Sequence, residues 1–412
     1  MPLRERQKVQ EVLREELRVG RWRVAGFRAA GVSCGIKGKG EKDLALFVSD
    51  LPAVSSVVFT RNLVQAAPLI WAKERARLSG IRCIVVNSGN ANACTGPEGI
   101  RSVSRVVGEV SRVTGIEVEK ILPSSTGVIG VPLPAERLLR AVPRLVKALS
   151  EDGFEEAASA IMTTDAYPKL TRRVIRVGGE KITLLGVAKG AGMIAPNMGT
   201  MLAYVFTDAR LTAGDLRRIH RRCVEETFNR IIVDGDTSTN DTAAVVANGA
   251  SAARTLSGED LRDFELCLRE LMEELALKIV SDGEGATRVV RISVEGTSTD
   301  REAERVARSV GTSLLVKTAV FGADFNWGRI VAAAGRSGVR FDPEKMEVFF
   351  DGARVFGPGL VPDPAGAAKG KRVVKKKFYE VRVRVGKGKG QYHVYTSDLT
   401  LDYVKLNSEY TT

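Results

Sequence analysis

The sequence predicts an α/β (α+β) protein, and three observations carry that reading. Apolar runs rich in β-formers recur along the chain, among them "CIVV" at 83–86 and "MLAYVF" at 201–206. Between them lie segments whose apolar residues are spaced by three and four, the helical period, clearest at 99–115 and 259–280. The two kinds mix without the regular strand–helix alternation of a doubly wound parallel sheet.

The elements follow in order. Residues 3–19 read as a helix with Val9, Val12, Leu13 and Leu17 on one side and Gly20 as C-cap. From 24 to 90 short strands alternate with glycine turns. "CIVVNSGNANACTG" (83–96) is a strand running into a small-polar loop, 99–115 is a helix, and "KILPSSTGVIGVPLP" (120–134) is again strand then Ser/Thr/Gly loop. Residues 135–165 are mostly helical, ending at "IMTTDAYPK". "AKGAGMIAPN" (188–197) is a loop of small residues that runs through Gly199 and Thr200 into the strand 201–206. A helix at 213–229 precedes two apolar runs around "VDGDTSTND" (233–241). The helix 259–280 opens on Ser257 and Asp260 as a capping pair and carries Leu261, Phe264, Leu268, Leu271, Leu275 and Ile279 on its apolar side. Then come strand "RVVRISVEG" (288–296), helix 300–310, strand "LLVKTAVFG" (314–322) and loop "ADFNWGR" (323–329). "PDPAGAAKGK" (362–371) is linker-like, and "FYEVRVRV", "GKGKG" and "QYHVYT" (378–396) read as a hairpin.

At 412 residues the chain is long enough for two or three domains. No apolar stretch approaches a membrane span, and the charged "MPLRERQKVQ" start has no apolar signal core, so a cytoplasmic protein without membrane contact is expected. Cys34, Cys83, Cys94, Cys223 and Cys267 are scattered without a CxxC, which suggests neither a disulfide framework nor a zinc site. The net charge is +13, but residues 366–390 hold ten Lys/Arg against one Glu and so supply +9 of it. One solvated basic face of a hairpin accounts for that. A polyanion-binding patch is the other reading, but no nucleic-acid motif accompanies it and no nucleic-acid partner is expected.

Catalytic chemistry has few candidates. Only His220 and His393 exist; His220 falls on a polar helix face and His393 in the basic hairpin, and a structural or surface role is expected of both. GxSxG, HExxH and GxxxxGK[ST] are absent. "GIKGKG" (35–40) reads as a turn, and "VDGDTSTND" lacks calcium-loop spacing and reads as structural. "SSTGVIG" (124–130) is either a tight turn or a set of N–H donors for a developing oxyanion. Glu284 in "DGEGATR" is either a solvated acid after a helix stop or a site group. A nucleophile without a histidine needs another base. A threonine at a chain N-terminus has one in its own α-amine, with a pKa of about 7.7–8.0. Thr200 would gain it if the bond after Gly199 were cut, and its hydroxyl can make that cut by attacking the preceding carbonyl. Read locally, Gly199-Thr200 favours a turn entering a strand over that cut.

Eight stretches together decide more than any one of them: "NSGNANACTG", "SSTGVIGVPLP", "IMTTDAYPK", "KGAGMIAPNMGTML", "DGDTSTNDT", "DGEGATR", "LVKTAVFGADFNWGRI" and "SDLTLDYVKLNSEYTT". They resemble, in order and from about residue 24 to the last residue, the ornithine acetyltransferase family, the bifunctional glutamate N-acetyltransferases of arginine biosynthesis, and against that family residues 1–20 stand as an N-terminal helical extension. The resemblance implies a layered αββα fold of the N-terminal-nucleophile kind. It implies a precursor that cuts itself between Gly199 and Thr200 into an alpha chain (21–199 after the extension) and a beta chain (200–412), assembled as α2β2. It implies ping-pong transfer of acetyl from N2-acetylornithine to glutamate through acetyl-Thr200, with acetyl-CoA a second donor in some members and no cofactor.

Carried over by motif, Thr126 and Gly127 are the oxyanion pair, and Lys189, Thr200, Glu284, Asn407 and Thr412 bind substrate. The substrate-touching Thr usual in the family is Ala166 here, at the loss of a hydrogen bond of about 1 kcal/mol, which bears on substrate identity. Gly199 stands where Ala is usual and Phe325 where Pro is common. Two other readings compete: an N-terminal-nucleophile aminopeptidase or amidase that hydrolyses its acyl-enzyme, and a non-enzymatic basic binding protein.

Overall fold

The computed structural model describes residues 22–38, 40–194, 201–251 and 254–409. The expected helix at 3–19 lies outside them, as do Gly199, Thr200 and Thr412. In chain order the described elements begin with β1 (Phe27–Val32), β2 (Leu44–Ser49), β3 (Val54–Phe59), α1 (Ala67–Arg75), β4 (Cys83–Asn90), α2 (Gly96–Thr114) and β5 (Ile121–Val128). They continue with α3 (Ala135–Lys147), α4 (Phe154–Ala160), β6 (Lys169–Val177), β7 (Glu180–Lys189), β8 (Leu202–Thr207), α5 (Ala213–Glu226), β9 (Ile231–Ile232), β10 (Thr242–Ala247) and α6 (Gly258–Ser281). The rest are β11 (Val289–Thr297), α7 (Asp300–Gly311), α8 (Leu314–Phe321), α9 (Trp327–Gly335), β12 (Glu347–Phe350), β13 (Ala353–Gly357), β14 (Val361–Pro362), α10 (Pro364–Val373), β15 (Phe378–Arg384), β16 (Gly390–Ser397) and α11 (Leu401–Glu409).

Two compact units result. The first runs to Asn229 and takes in Asp236–Ile279. It holds a four-stranded sheet, order β1-β2-β4-β5, and a five-stranded sheet, order β3-β10-β8-β7-β6. Alternation along the strands aims one side chain set of each sheet at the other. Phe47 of β2 packs on Tyr204 and Phe206 of β8 at ring separations of 5.8 and 5.1 Å, and Phe27 meets Phe206 edge-on. Helices α1–α3 cover the far side of the first sheet through one apolar cluster that includes Trp71, Val107, Leu138 and Val142. On the far side of the second sheet, α5 lies on β3, and α6 meets Gly186 of β7 so closely that a Cβ there would sit 2.7 Å from Leu271 and Leu275. This unit is therefore an αββα sandwich. Strands β3, β6 and β7 precede Gly199 in sequence and β8 and β10 follow it, so one sheet draws on both expected chains.

The second unit contains Arg230–Gly235 and the chain from Val280 onward. Its single sheet has the order β14-β13-β12-β15-β11-β16-β9. Helix α7 lies on β11 and β16, and α10 on β12 and β13.

Four expectations need correction. Strands β15 and β16 are not a hairpin: β11 lies between them, parallel to β15 and antiparallel to β16. The 314–322 run is the helix α8, opened by the Ser313 side chain accepting from the Val316 N–H. "PDPAGAAKGK" is mostly helix α10, with Asp363 as N-cap and Pro364 in the first turn. Helix α1, with Pro68 in its first turn, falls where only strands and turns were expected.

Candidate active site

The sandwich unit gathers polar groups at the ends of β4, β5 and β7. Strands β4 and β5 are parallel, with Ser125 opposite Asn87, Thr126 opposite Ser88 and Gly127 opposite Gly89. Ser125 Oγ donates to Asn87 Oδ1 at 2.6 Å, and Asn240 Nδ2 donates to the carbonyls of Ala91 (2.7 Å) and Ser125 (2.8 Å), which fixes the two strand ends together. At Gly127 φ is +129°, and a Cβ would lie 2.4 Å from the Gly89 carbonyl carbon. Only glycine fits there, which lets β5 pack its end directly onto the Gly89–Asn90 backbone of β4.

Lys189 is the last residue of β7 and pairs across the ladder with Leu202, the first of β8. Thr200 precedes Leu202 by two residues in the sequence. Lys189 Nζ donates to Thr126 Oγ1 at 3.1 Å and to Thr163 Oγ1 at 2.8 Å, and lies 4.0 Å from Asp165 Oδ2. Because the ammonium occupies a lone pair of the Thr126 oxygen, the hydroxyl hydrogen of Thr126 is left to donate elsewhere.

Behind Lys189 sits a fully enclosed ion pair. Lys169 Nζ donates to Asp165 Oδ1 at 2.6 Å, and both side chains are completely buried. Asp165 also accepts from the N–H of Gly190 (2.6 Å) and of Thr163 (3.0 Å). Burial pushes its carboxyl up, but the ammoniums of Lys169 and Lys189 and these hydrogen bonds outweigh that and hold it well below the usual carboxylate range. Lys37 approaches from the 34–38 loop: its Cγ would lie 3.0 Å from a Cβ on Gly89. Burial lowers the Lys37 ammonium pKa, Glu41 and Asp43 work against that, and the charge of Lys189 lowers it further. Ala166 is exposed beside the buried Asp165.

Glu284 and Asn407 belong to the second unit. Glu284 is buried, and Asn407 Nδ2 donates to its Oε2 at 2.8 Å and to the Tyr403 carbonyl at 3.0 Å. Thr400 caps α11, accepting from the Tyr403 N–H (3.2 Å) and donating to the Gly285 carbonyl (2.9 Å), so the loop bearing Glu284 is tied to the helix bearing Asn407. Lys317 of α8 is buried beneath the same junction. It donates to Thr396 Oγ1 (3.2 Å), Ser397 Oγ (3.3 Å) and the Ser397 carbonyl. Burial pushes its pKa down to about 7, against the pull of Asp398 and Asp234.

Thus Thr126, Gly127 and Lys189 meet in one unit, Glu284 and Asn407 pair in the other, and Gly199, Thr200 and Thr412 lie outside the described residues. Sequence reasoning missed Thr163, Asp165, Lys169 and Lys37 as members of the cluster. The spacing of Asp165 and Lys169 was the available signal. Both histidines are structural, but His220 is not on a polar face. It is 1% exposed, its Nδ1 lies 2.9 Å from Ser56 Oγ, and burial pushes its pKa down to about 3. Among the described residues no group of three or more His, Cys, Asp or Glu could hold a metal.

Threonine hydroxyls at glycine-lined strand ends, set beside a buried ammonium, are groups an α/β acyl-transferring enzyme would use. The ArgJ family profile matches residues 28–412. The arginine biosynthesis bifunctional protein ArgJ of Geobacter sulfurreducens is 47% identical over 94% of this chain and 100% of its own. That of Nitratidesulfovibrio vulgaris is 46% identical over 93% and 98%. A crystal structure of the Bacillus halodurans ArgJ protein aligns at 38% identity with 51% of this chain and all of that solved chain, at a TM-score of 0.49. The chain belongs to the ArgJ family of bifunctional arginine-biosynthesis acyltransferases.

Proposed function

We propose that this enzyme moves acetyl from N2-acetylornithine to glutamate through an ester on Thr200, after cutting itself between Gly199 and Thr200, with acetyl-CoA as a second donor. The observation that carries the reading is the convergence of Lys189 on Thr126, beside Gly127, at the ladder position two residues from Thr200. In the cut, the Thr200 hydroxyl attacks the Gly199 carbonyl, the peptide nitrogen leaves as a free amine, and water opens the resulting ester. That amine then takes the proton from the Thr200 hydroxyl as the hydroxyl attacks the acetyl carbonyl. The oxyanion is met by the Thr126 hydroxyl and the Gly127 N–H. The C–N bond breaks, the proton passes to the leaving amine, and ornithine departs. Glutamate's amine attacks the acetyl ester in reverse sense and leaves as N-acetylglutamate.

Lys189 supplies positive charge for the substrate carboxylate, and Glu284, oriented by Asn407, receives the substrate amine. Thr412 joins them, Ala166 leaves the family's hydroxyl contact unmade, and the two chains assemble as α2β2 in the cytoplasm.

The mass of the purified protein tests this. Two pieces are expected, the second beginning at Thr200, and Thr200→Ala should be one inactive piece. An intact chain with full transferase activity, or acetate in place of acetylglutamate when acetylornithine and glutamate are supplied, would sink it.

A further inference from the structure

The basic segment is solvated, most of its Lys and Arg being exposed, but it is not a hairpin. The link between β15 and β16 must cross the end of β11, because β11 lies between them. It does so through "GKGKG". A Cβ on Gly386 would lie 2.8 Å from the Gly296 carbonyl oxygen, one on Gly388 2.0 Å from that of Thr297, and one on Gly390 2.4 Å from Thr299. All three glycines are pressed onto 296–299, and the Gly388 N–H donates to the Gly296 carbonyl at 3.0 Å. The crossing is therefore stiff, and the lysines alternating with the glycines are both turned out and exposed.

Lys387 and Lys389 edge a cavity of about 520 Å³ whose wall also includes Arg384 and Lys345. Its two carboxylates are already engaged: Arg384 donates to Glu295 Oε1 at 2.8 Å and to Glu347 Oε2 at 2.9 Å. Lys345 pairs with Asp342 at 2.8 Å. Lys387 and Lys389 form no ion pair among the described residues. Two unpaired ammoniums on a stiff backbone crossing, at the rim of a concave surface of small-ligand size, match a compact multivalent anion. They are too few for a nucleic-acid track, which engages about 6–10 phosphates.

We propose that this cavity binds a small phosphorylated molecule, of nucleoside-phosphate size, with Lys387 and Lys389 on its phosphates. The site is distinct from the Glu284–Asn407 pair. That pair flanks the start of β11, whereas the cavity lies at its end, and the six steps from Val289 to Glu295 at about 3.3 Å each put about 20 Å between them.

Titration calorimetry on the full-length protein, with pyrophosphate and with ADP at low and at physiological salt, tests it. One saturable site per chain is expected, weaker at higher salt, with affinity falling about tenfold or more in K387S/K389S. Acetyl transfer in that variant should stay at the wild-type rate. The absence of saturable binding by both probes would overturn the proposal. So would binding to the double variant within about twofold of wild type, or tighter lysine-dependent binding of a single-stranded RNA than of ADP.

Discussion

Two buried lysines, one in each unit, meet the same problem in opposite ways. Lys169 is 0% exposed and Lys317 1%. Lys169 has a carboxylate in contact, Asp165 at 2.6 Å, which in turn collects two backbone N–H groups and the charge of Lys189. Lys317 has two hydroxyls and a carbonyl in contact, while Asp398 and Asp234 act on it only as charges at longer range. An ammonium in low dielectric stays charged when an anion touches it; with neutral acceptors alone it is pushed toward shedding its proton. The first arrangement fixes a permanent charge behind Lys189. The second builds a group that titrates near neutrality under the Glu284 loop.

The sharpest way to break the comparison is Lys169→Met. Removing one partner of a buried pair strands the other, at a cost of about 3–5 kcal/mol. Urea unfolding at neutral pH should show that loss. The Asp165 carboxyl has a depressed pKa, so its contribution is present above the ordinary value of about 4 and is lost as pH falls toward the folded value. The gap between wild type and Lys169→Met should therefore narrow below about pH 4. A variant as stable as wild type would mean that its N–H donors and the charge of Lys189 suffice to hold Asp165.

Lys317→Met should show a smaller effect, with the same sign of pH dependence but in an alkaline window. A lysine whose folded pKa is about 7 binds its proton less tightly than the unfolded chain does. Charging it costs stability below pH 7, and wild-type stability rises relative to the variant as pH climbs from about 7 toward about 10.4. Loss of its hydrogen bonds should leave the variant about 1–3 kcal/mol less stable at alkaline pH. Denaturation midpoints of both proteins across that range check it; a constant difference would show that Lys317 keeps its proton throughout.

How much of this was legible beforehand depends on whether the signal is local. The helices at 99–115 and 259–280 announce themselves because amphipathic period needs only neighbours in sequence, and α2 and α6 lie there. The run "LLVKTAVF" carries no period. Its β-branched residues suggested a strand, while the deciding facts are the Ser313 cap and a helix that buries Val316, Lys317 and Val320 while exposing Leu314 and Leu315. The order β15-β11-β16 was beyond reach, because sequence adjacency favours pairing the two strands that a short glycine link joins. At the site, Thr126 and Lys189 were legible only through motif resemblance. Thr163 and Asp165 become partners of Lys189 only once β5, β7 and the 161–169 segment are brought together.

The smallest expected stability effect separates holding a group from using it. Lys189 donates to two threonine hydroxyls, Thr163 at 2.8 Å and Thr126 at 3.1 Å. Replacing either by valine removes one acceptor of the same ammonium, so each should cost about 1 kcal/mol of stability. Only Thr126 has a hydroxyl hydrogen assigned to the oxyanion. Thr163→Val should therefore leave kcat near wild type and shift mainly KM, because Lys189 is less firmly aimed at the substrate carboxylate. Thr126→Val should lower kcat by about 100-fold or more, the usual loss for one oxyanion donor. Matched unfolding curves with a kcat ratio near one between the two variants would take Thr126 out of the oxyanion hole and leave it, like Thr163, a support for Lys189.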